Sequence, residues 1–133
     1  MIGIDTNVLV RFFAQDDRAQ SAMANRAFAA LSKQQPGFIS LIVLCELVWV
    51  LEDLYATKKP RLIEILGTLF ESNELVIESQ SLAWQALRQF TQAQLDFSDS
   101  LMAQIGLNAG CTHTITFDKS AGKSMGFTLL KSQ

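Results

Sequence analysis

Short apolar runs alternate with longer segments of helical periodicity along the whole chain, and that alternation restricts the fold more than any other feature. Met1-Ile2-Gly3-Ile4 reads as a very short buried strand ending at Asp5. Phe38-Ile39, Glu74-Leu75-Val76-Ile77 and Thr114-Ile115-Thr116-Phe117 read as further strands, with Phe127-Thr128-Leu129-Leu130 as a candidate fifth. Helices are expected over 7–13, 17–31, 41–55, 60–70, 82–94 and 99–109. In the second of these, Ala24, Ala27, Phe28 and Leu31 recur at helical spacing. Ser40 suits an N-cap, Pro60 a first helical turn and Gly110 a C-terminal cap. Short strands joined through helices pair in parallel by right-handed crossovers, so the expected fold is a three-layer α/β/α sandwich. Such sheets carry their sites at the carboxyl ends of the strands. Asp5 and Asp118 each end a predicted strand and are therefore expected to face one crevice.

With 133 residues the chain is expected to form a single domain over 1–133. Its 49% hydrophobic and 18% charged residues supply a substantial core and argue against disorder. A net charge of −2 lacks the basic surplus typical of nucleic-acid binders, unless bound metal neutralises several acids. The longest apolar run, Leu41 to Leu51, falls short of the roughly 18 residues of a membrane span and is broken by Glu46. Arg11 and Gln15-Asp16-Asp17-Arg18 follow the first apolar residues too soon for a secretory signal. Cys45 and Cys111 lie in apolar surroundings outside any C-x-x-C pair and read as reduced structural thiols, which implies a cytoplasmic protein.

Four acids stand out against this background. Glu46 interrupts a segment apolar on every helical face, and a helix hydrophobic all round is normally buried. A buried carboxylate is costly unless paired or metal-bound. The alternatives are a pair with an arginine such as Arg11, or a place on a partly exposed edge. Asp5 follows an apolar strand and precedes Thr6-Asn7, where Asp5 or Asn7 can equally cap a helix. Asp118 follows Thr-Ile-Thr-Phe, again a position that suits a turn or cap. In Leu95-Asp96-Phe97-Ser98-Asp99, Asp96 reads as the cap and Asp99 as the site acid. Asp and Glu without His or Cys supply hard oxygen donors, which suit Mg²⁺ or Mn²⁺ rather than zinc. Such ions promote displacement at phosphodiesters, and metal-free acids in a cluster would raise one another's pKa values.

In order along the chain, Ile4-Asp5-Thr6-Asn7, Ile39-Ser40 leading to Glu46, Asp96-Phe97-Ser98-Asp99-Ser100-Leu101 and Thr114-Ile115-Thr116-Phe117-Asp118 together resemble the motifs of PIN-domain nucleases. In size the chain is similar to VapC-type toxins of toxin–antitoxin pairs, and the match runs from Ile2 to about Leu129. The resemblance implies a central parallel five-stranded sheet and a divalent metal, Mg²⁺ or Mn²⁺. It also implies endonucleolytic cleavage of RNA, a small antitoxin partner and a homodimer. It makes Asp5, Glu46, Asp99 and Asp118 the catalytic metal-site acids, with Thr6, Asn7 and Thr116 as accessory polar positions. Ser100 stands where the family usually carries alanine. Arg11, Lys119 and Lys123 lie near the expected mouth as candidate phosphate contacts, or as ordinary surface charges.

Rival readings fit less well. A haloacid-dehalogenase-type, Mg-dependent phosphatase needs a second Asp two residues after the first, where Asn7 stands. It also needs a lysine upstream of its last acids, and none lies between Arg88 and Asp118. A phospho-receiver domain needs paired acids near its first strand, and a Glu within an apolar helix does not fit it. A catalytically inactive PIN-fold binding module or corepressor would not need all four acids. His113 is the only histidine, which excludes His-pair cleavage of RNA and leaves it a structural reading. Trp49 and Trp84 sit within apolar helical patterns as core or interface anchors.

Overall fold

The structure, a computed structural model, describes residues 1–132 and resolves them into two compact units, Met1–Gln80 and the described residues from Ser81 onward. The first contains β1 (Ile2–Gly3), α1 (Thr6–Ala14), α2 (Arg18–Ala29), β2 (Gly37–Ile39), α3 (Leu41–Tyr55), α4 (Lys59–Glu71) and β3 (Leu75–Ile77). The second contains α5 (Gln80–Gln92), α6 (Phe97–Asn108), β4 (Thr114–Thr116), a 3₁₀ turn (Ala121–Lys123) and β5 (Phe127–Leu129).

In the first unit β1 pairs with β2 and β2 with β3, both in parallel, with Gly3 opposite Phe38 and Ile39 opposite Ile77. Gly37 is required at the central strand, because a Cβ there would come within 2.5 Å of the Ile4 side chain and 3.0 Å of Leu31 and Leu75. Ser40 begins α3 as expected, its Oγ accepting from the Val43 amide at 3.2 Å. Leu44, Leu47, Val48 and Leu51 form the buried stripe of α3, and Leu62, Ile65, Leu66 and Leu69 that of α4. The spacing i, i+3, i+4, i+7 puts these side chains on one helix face. Asp17 caps α2, accepting from the Gln20 amide, and Phe12 stacks on Phe28 with ring centroids 4.2 Å apart.

In the second unit β4 pairs with β5 in parallel, Ile115 opposite Thr128. Leu95, Ala103, Ala121 and Phe127 form a buried apolar cluster. The rings of Phe90 and Phe97 meet edge to face with centroids 5.8 Å apart. Buried Gln89 is fully engaged: its amide donates to the Met125 carbonyl, and its Oε1 accepts from Gln104. Gly110 follows α6 at φ +102°, a conformation that favours glycine.

Helices and parallel strands alternate as expected for an α/β protein, but the five-stranded central sheet is not what forms. Among the described residues the strands make a three-stranded sheet, β1-β2-β3, and a two-stranded sheet, β4-β5. Each strand is only two or three residues long, so its edge offers few hydrogen bonds to a further neighbour. The first strand is not buried either, with Ile2 49% exposed. Helix α6 starts at Phe97, two residues ahead of its expected start. Among the described residues no helix is long and apolar enough to cross a membrane.

Candidate functional site

Asp5 stands between β1 and α1 in extended conformation (φ −77°, ψ 154°), exposed, with Oδ1 accepting from the Thr6 amide at 2.8 Å. Capping therefore occupies one carboxylate oxygen and leaves the other without a protein partner. Thr6, only 6% exposed, turns its hydroxyl to α3 and donates to Glu46 Oε1 at 3.0 Å. Thr6 thus links the acid that opens the chain to an acid 40 residues later. Asn7 is exposed and lines a cleft with Val8, Arg11 and Gln20.

Glu46 is exposed, which corrects the expectation of a carboxylate buried within an all-apolar helix. Helix α3 buries only one stripe, and beside Glu46 it presents Ile42 (72% exposed) and Trp49 (60% exposed) to solvent. An apolar composition on every face therefore reflects a surface patch here and not a fully enclosed helix. Of the alternatives, the exposed-edge position holds and the Arg11 pair does not. Arg11 donates from Nε to Gln20, and from Nη1 to Asp16 and to the Tyr55 hydroxyl. That network engages the guanidinium within its own unit, at one wall of the cleft shared with Asn7. Cys45 is half-buried, and burial, reinforced by the neighbouring Glu46 charge, pushes its thiol pKa up. Cys111 is exposed, contrary to the apolar surroundings expected for it.

Glu78, just beyond β3, carried no signal in sequence. Its Oε1 accepts from the Leu41 amide at 2.9 Å, so it satisfies a second free N–H at the start of α3.

In the second unit Asp99 lies in the first turn of α6, partly buried. Its carboxyl pKa is raised, first by burial and then by the negative charges of Asp96 and Asp118. Asp96 occupies the N-cap position but makes no side-chain capping bond, against the role expected of it. It adds instead to the negative field at Asp99. The Asp96-x-x-Asp99 spacing was the available signal, and it reads equally well as a capping box.

Asp118 is held on both sides. Its amide donates to Thr116 Oγ1 at 3.0 Å, and its Oδ1 accepts from the amides of Ser120 (2.8 Å) and Ala121 (3.2 Å). Thr116 is thereby a positioning residue for Asp118, and the second carboxylate oxygen of Asp118 is free of protein partners. Lys119 and Lys123 are exposed on the segment that follows. Beside Asp99, Ser100 is fully buried with no hydrogen-bond partner for its hydroxyl.

The structure therefore joins Asp5, Thr6 and Glu46 in one unit, and Asp96, Asp99, Thr116 and Asp118 in the other. Among the described residues no group of three or more His, Cys, Asp or Glu side chains is arranged to hold a metal ion. The donor atoms are all oxygen, the type a hard divalent cation takes, and in the second unit the charges of Asp96 and Asp118 act on Asp99. Neither the Arg11–Asp16 nor the Arg61–Glu64 ion pair involves these acids.

The chain matches the family described as PIN domain over residues 2–123. No curated protein matches it.

Proposed function

Because the chain belongs to the PIN domain family, a nuclease fold, we propose that it is a divalent-metal-dependent endoribonuclease and the toxin of a toxin–antitoxin pair. On this reading residues 1–133 act as one catalytic domain, with Asp5, Glu46, Asp99 and Asp118 as its metal-holding acids. The observation that carries it is the placement of Asp99, partly buried in the first turn of α6 with the charges of Asp96 and Asp118 acting on it and, among the described residues, no ion pair to relieve them.

A bound Mg²⁺ or Mn²⁺ supplies Lewis acidity and charge neutralisation for hydrolysis of a phosphodiester. The remaining work belongs to the chain. Asp5 offers its uncapped oxygen while Oδ1 is fixed by the Thr6 amide. Thr6 restrains Glu46, and Thr116 together with the Ser120 and Ala121 amides restrains Asp118. Restrained acids lose less freedom when they bind, which favours a site held ready for substrate. Asp118 would ligate a second, weaker ion or hold the attacking water, and Asn7 hydrogen-bonds near the acids. A small antitoxin and a second copy of the chain belong to the same proposal. The exposed Ile42, Trp49 and Leu54 of α3 are apolar surface that such a protein partner would cover.

RNA cleavage measured with and without Mg²⁺ or Mn²⁺, for wild type, Asp5→Asn and Asp99→Asn, tests the reading. Cleavage should need the metal and fall at least a hundredfold in each variant, about 10²-fold being typical when a charge-stabilising group is lost. Undiminished cleavage in both variants, or in excess chelator, would sink it. A binding module with a dead site would instead show no acid-dependent Mn²⁺ binding by calorimetry.

A further inference from the structure

A cleft of about 570 Å³ opens in the second unit between the 3₁₀ turn and β5, lined by Lys119, Lys123 and Lys131 over Gly122 and Leu129. No carboxylate lines it, and all three lysines are exposed. Among the described residues, no ion pair engages any of the three ammonium groups. Charge is unevenly distributed along the chain. Residues 1–99 carry eight basic and twelve acidic side chains, whereas residues 100–133 carry these three lysines and a single acid, Asp118. The acidic total therefore conceals a cationic end.

The cleft is firmly built. A Cβ on Gly122 would lie 2.7 Å from Leu129 Cβ, so the turn seats directly on β5 and sets Lys119 and Lys123 against Lys131. The Gly122 amide donates to the Asp118 carbonyl at 2.9 Å, which ties the wall of the cleft to one of the proposed site acids.

We propose that this cleft binds the phosphate backbone of the RNA beside Asp118, Lys119, Lys123 and Lys131 each meeting a phosphate oxygen. It rests on the nuclease reading above for the identity of the strand, though not for the binding of a polyanion. Lysine is a compact point charge, which attracts phosphate without reading sequence, so the cleft contributes affinity and orientation and no base preference. An acidic protein is the weaker candidate. Protein interface cores are depleted in lysine and anchored by aromatic or arginine side chains. The aromatic ring here, Phe127, is buried, and no arginine lines the cleft.

The test is binding of oligo(U), in excess chelator and over a salt series, to wild type and to two triple variants. One is Lys119→Gln/Lys123→Gln/Lys131→Gln and the other has arginine at the same positions. Each phosphate contact to a single strand contributes about 0.7 to the slope of log affinity against log salt, so the glutamine variant should lose about 2 from that slope. Wild type then weakens about twentyfold more than the glutamine variant between about 50 and 200 mM salt. The arginine variant should keep the wild-type slope. Unchanged affinity and slope in the glutamine variant overturn the proposal. Lysine-dependent binding of polyglutamate without lysine-dependent binding of oligo(U) overturns it in favour of an acidic protein. If the triple variant does not fold, Lys131→Gln alone, at an exposed position beyond β5, should lower the slope by about 0.7. Chelator removes cleavage from the measurement, so failure of the cleft and failure of the nuclease reading give separate results.

Discussion

The Thr6 hydroxyl donates to Glu46 Oε1 at 3.0 Å, joining the first turn of α1 to the middle of α3. Thr6 is buried while Glu46 is exposed, so the bond fixes the carboxylate from beneath and leaves its other oxygen toward solvent. Thr6→Val keeps the shape and removes the donor. It should cost about 1–2 kcal/mol in urea unfolding, the range for a hydrogen bond to a charged group. Glu46→Gln retains an acceptor at that position and should cost less than Thr6→Val, yet abolish metal-dependent cleavage. Equal stability of Thr6→Val and wild type would show that the bond carries no weight.

Asp99→Asn should act with opposite sign in two conditions. In chelator at neutral pH it removes a partly buried charge and the repulsion from Asp96 and Asp118, and the melting temperature should rise by a few degrees. With Mn²⁺ at about a hundred times its dissociation constant, wild type should gain about 2.7 kcal/mol and the variant much less. Thermal melts in both conditions check this, and a variant stabilised by Mn²⁺ as much as wild type would remove Asp99 from the metal site.

Tyr55 donates to Asp16 Oδ2 at 2.7 Å and accepts from Arg11 at 3.0 Å. The Tyr55 bond is the main cause holding the Asp16 pKa below its ordinary value. A lowered folded-state pKa gives stability that is present above the unfolded value, near 3.9, and lost as pH falls through the folded value. Tyr55→Phe should therefore lower the melting temperature at pH 7 and approach wild type as pH falls below the unfolded value. A penalty independent of pH would show that Asp16 is not involved.

Ser100→Ala removes a fully buried hydroxyl that has no partner. An unsatisfied buried polar group costs about 1–3 kcal/mol, so the variant should unfold at higher urea by an amount in that range. Cleavage should be unaffected. A destabilised variant would reveal a partner for Ser100 Oγ in solution.

Gly122→Ala drives a methyl group against Leu129. Overpacking of this kind costs about 1–3 kcal/mol, and here it also separates Lys123 from Lys131. Chemical denaturation should show the loss, and an unchanged midpoint would mean that the turn can lift off β5 at little cost.

Much of the secondary structure was legible because its signals are local. Ser40 and Asp17 cap the helices they precede, Pro60 sits in the first turn of α4, and Gly110 takes a positive φ after α6. Asp5 was legible as a cap, and the cap leaves its second oxygen free for the proposed site role. Asp96 was misread as the cap for the same local reason. A capping box and a pair of site acids share one spacing, and only the absence of the capping bond separates them.

The sequence by itself determined the helices, the strands and their parallel pairing, since caps and periodicity act within a few positions. Tertiary structure decided the rest. It opened one face of α3 and so exposed Glu46, drew Arg11 into a network with Asp16 and Tyr55, and divided five short strands into two sheets. It also brought Lys131 to the cleft of Lys119 and Lys123, and Thr6 to Glu46. Each of these depends on which distant surfaces meet, and an apolar stripe specifies burial without naming its partner.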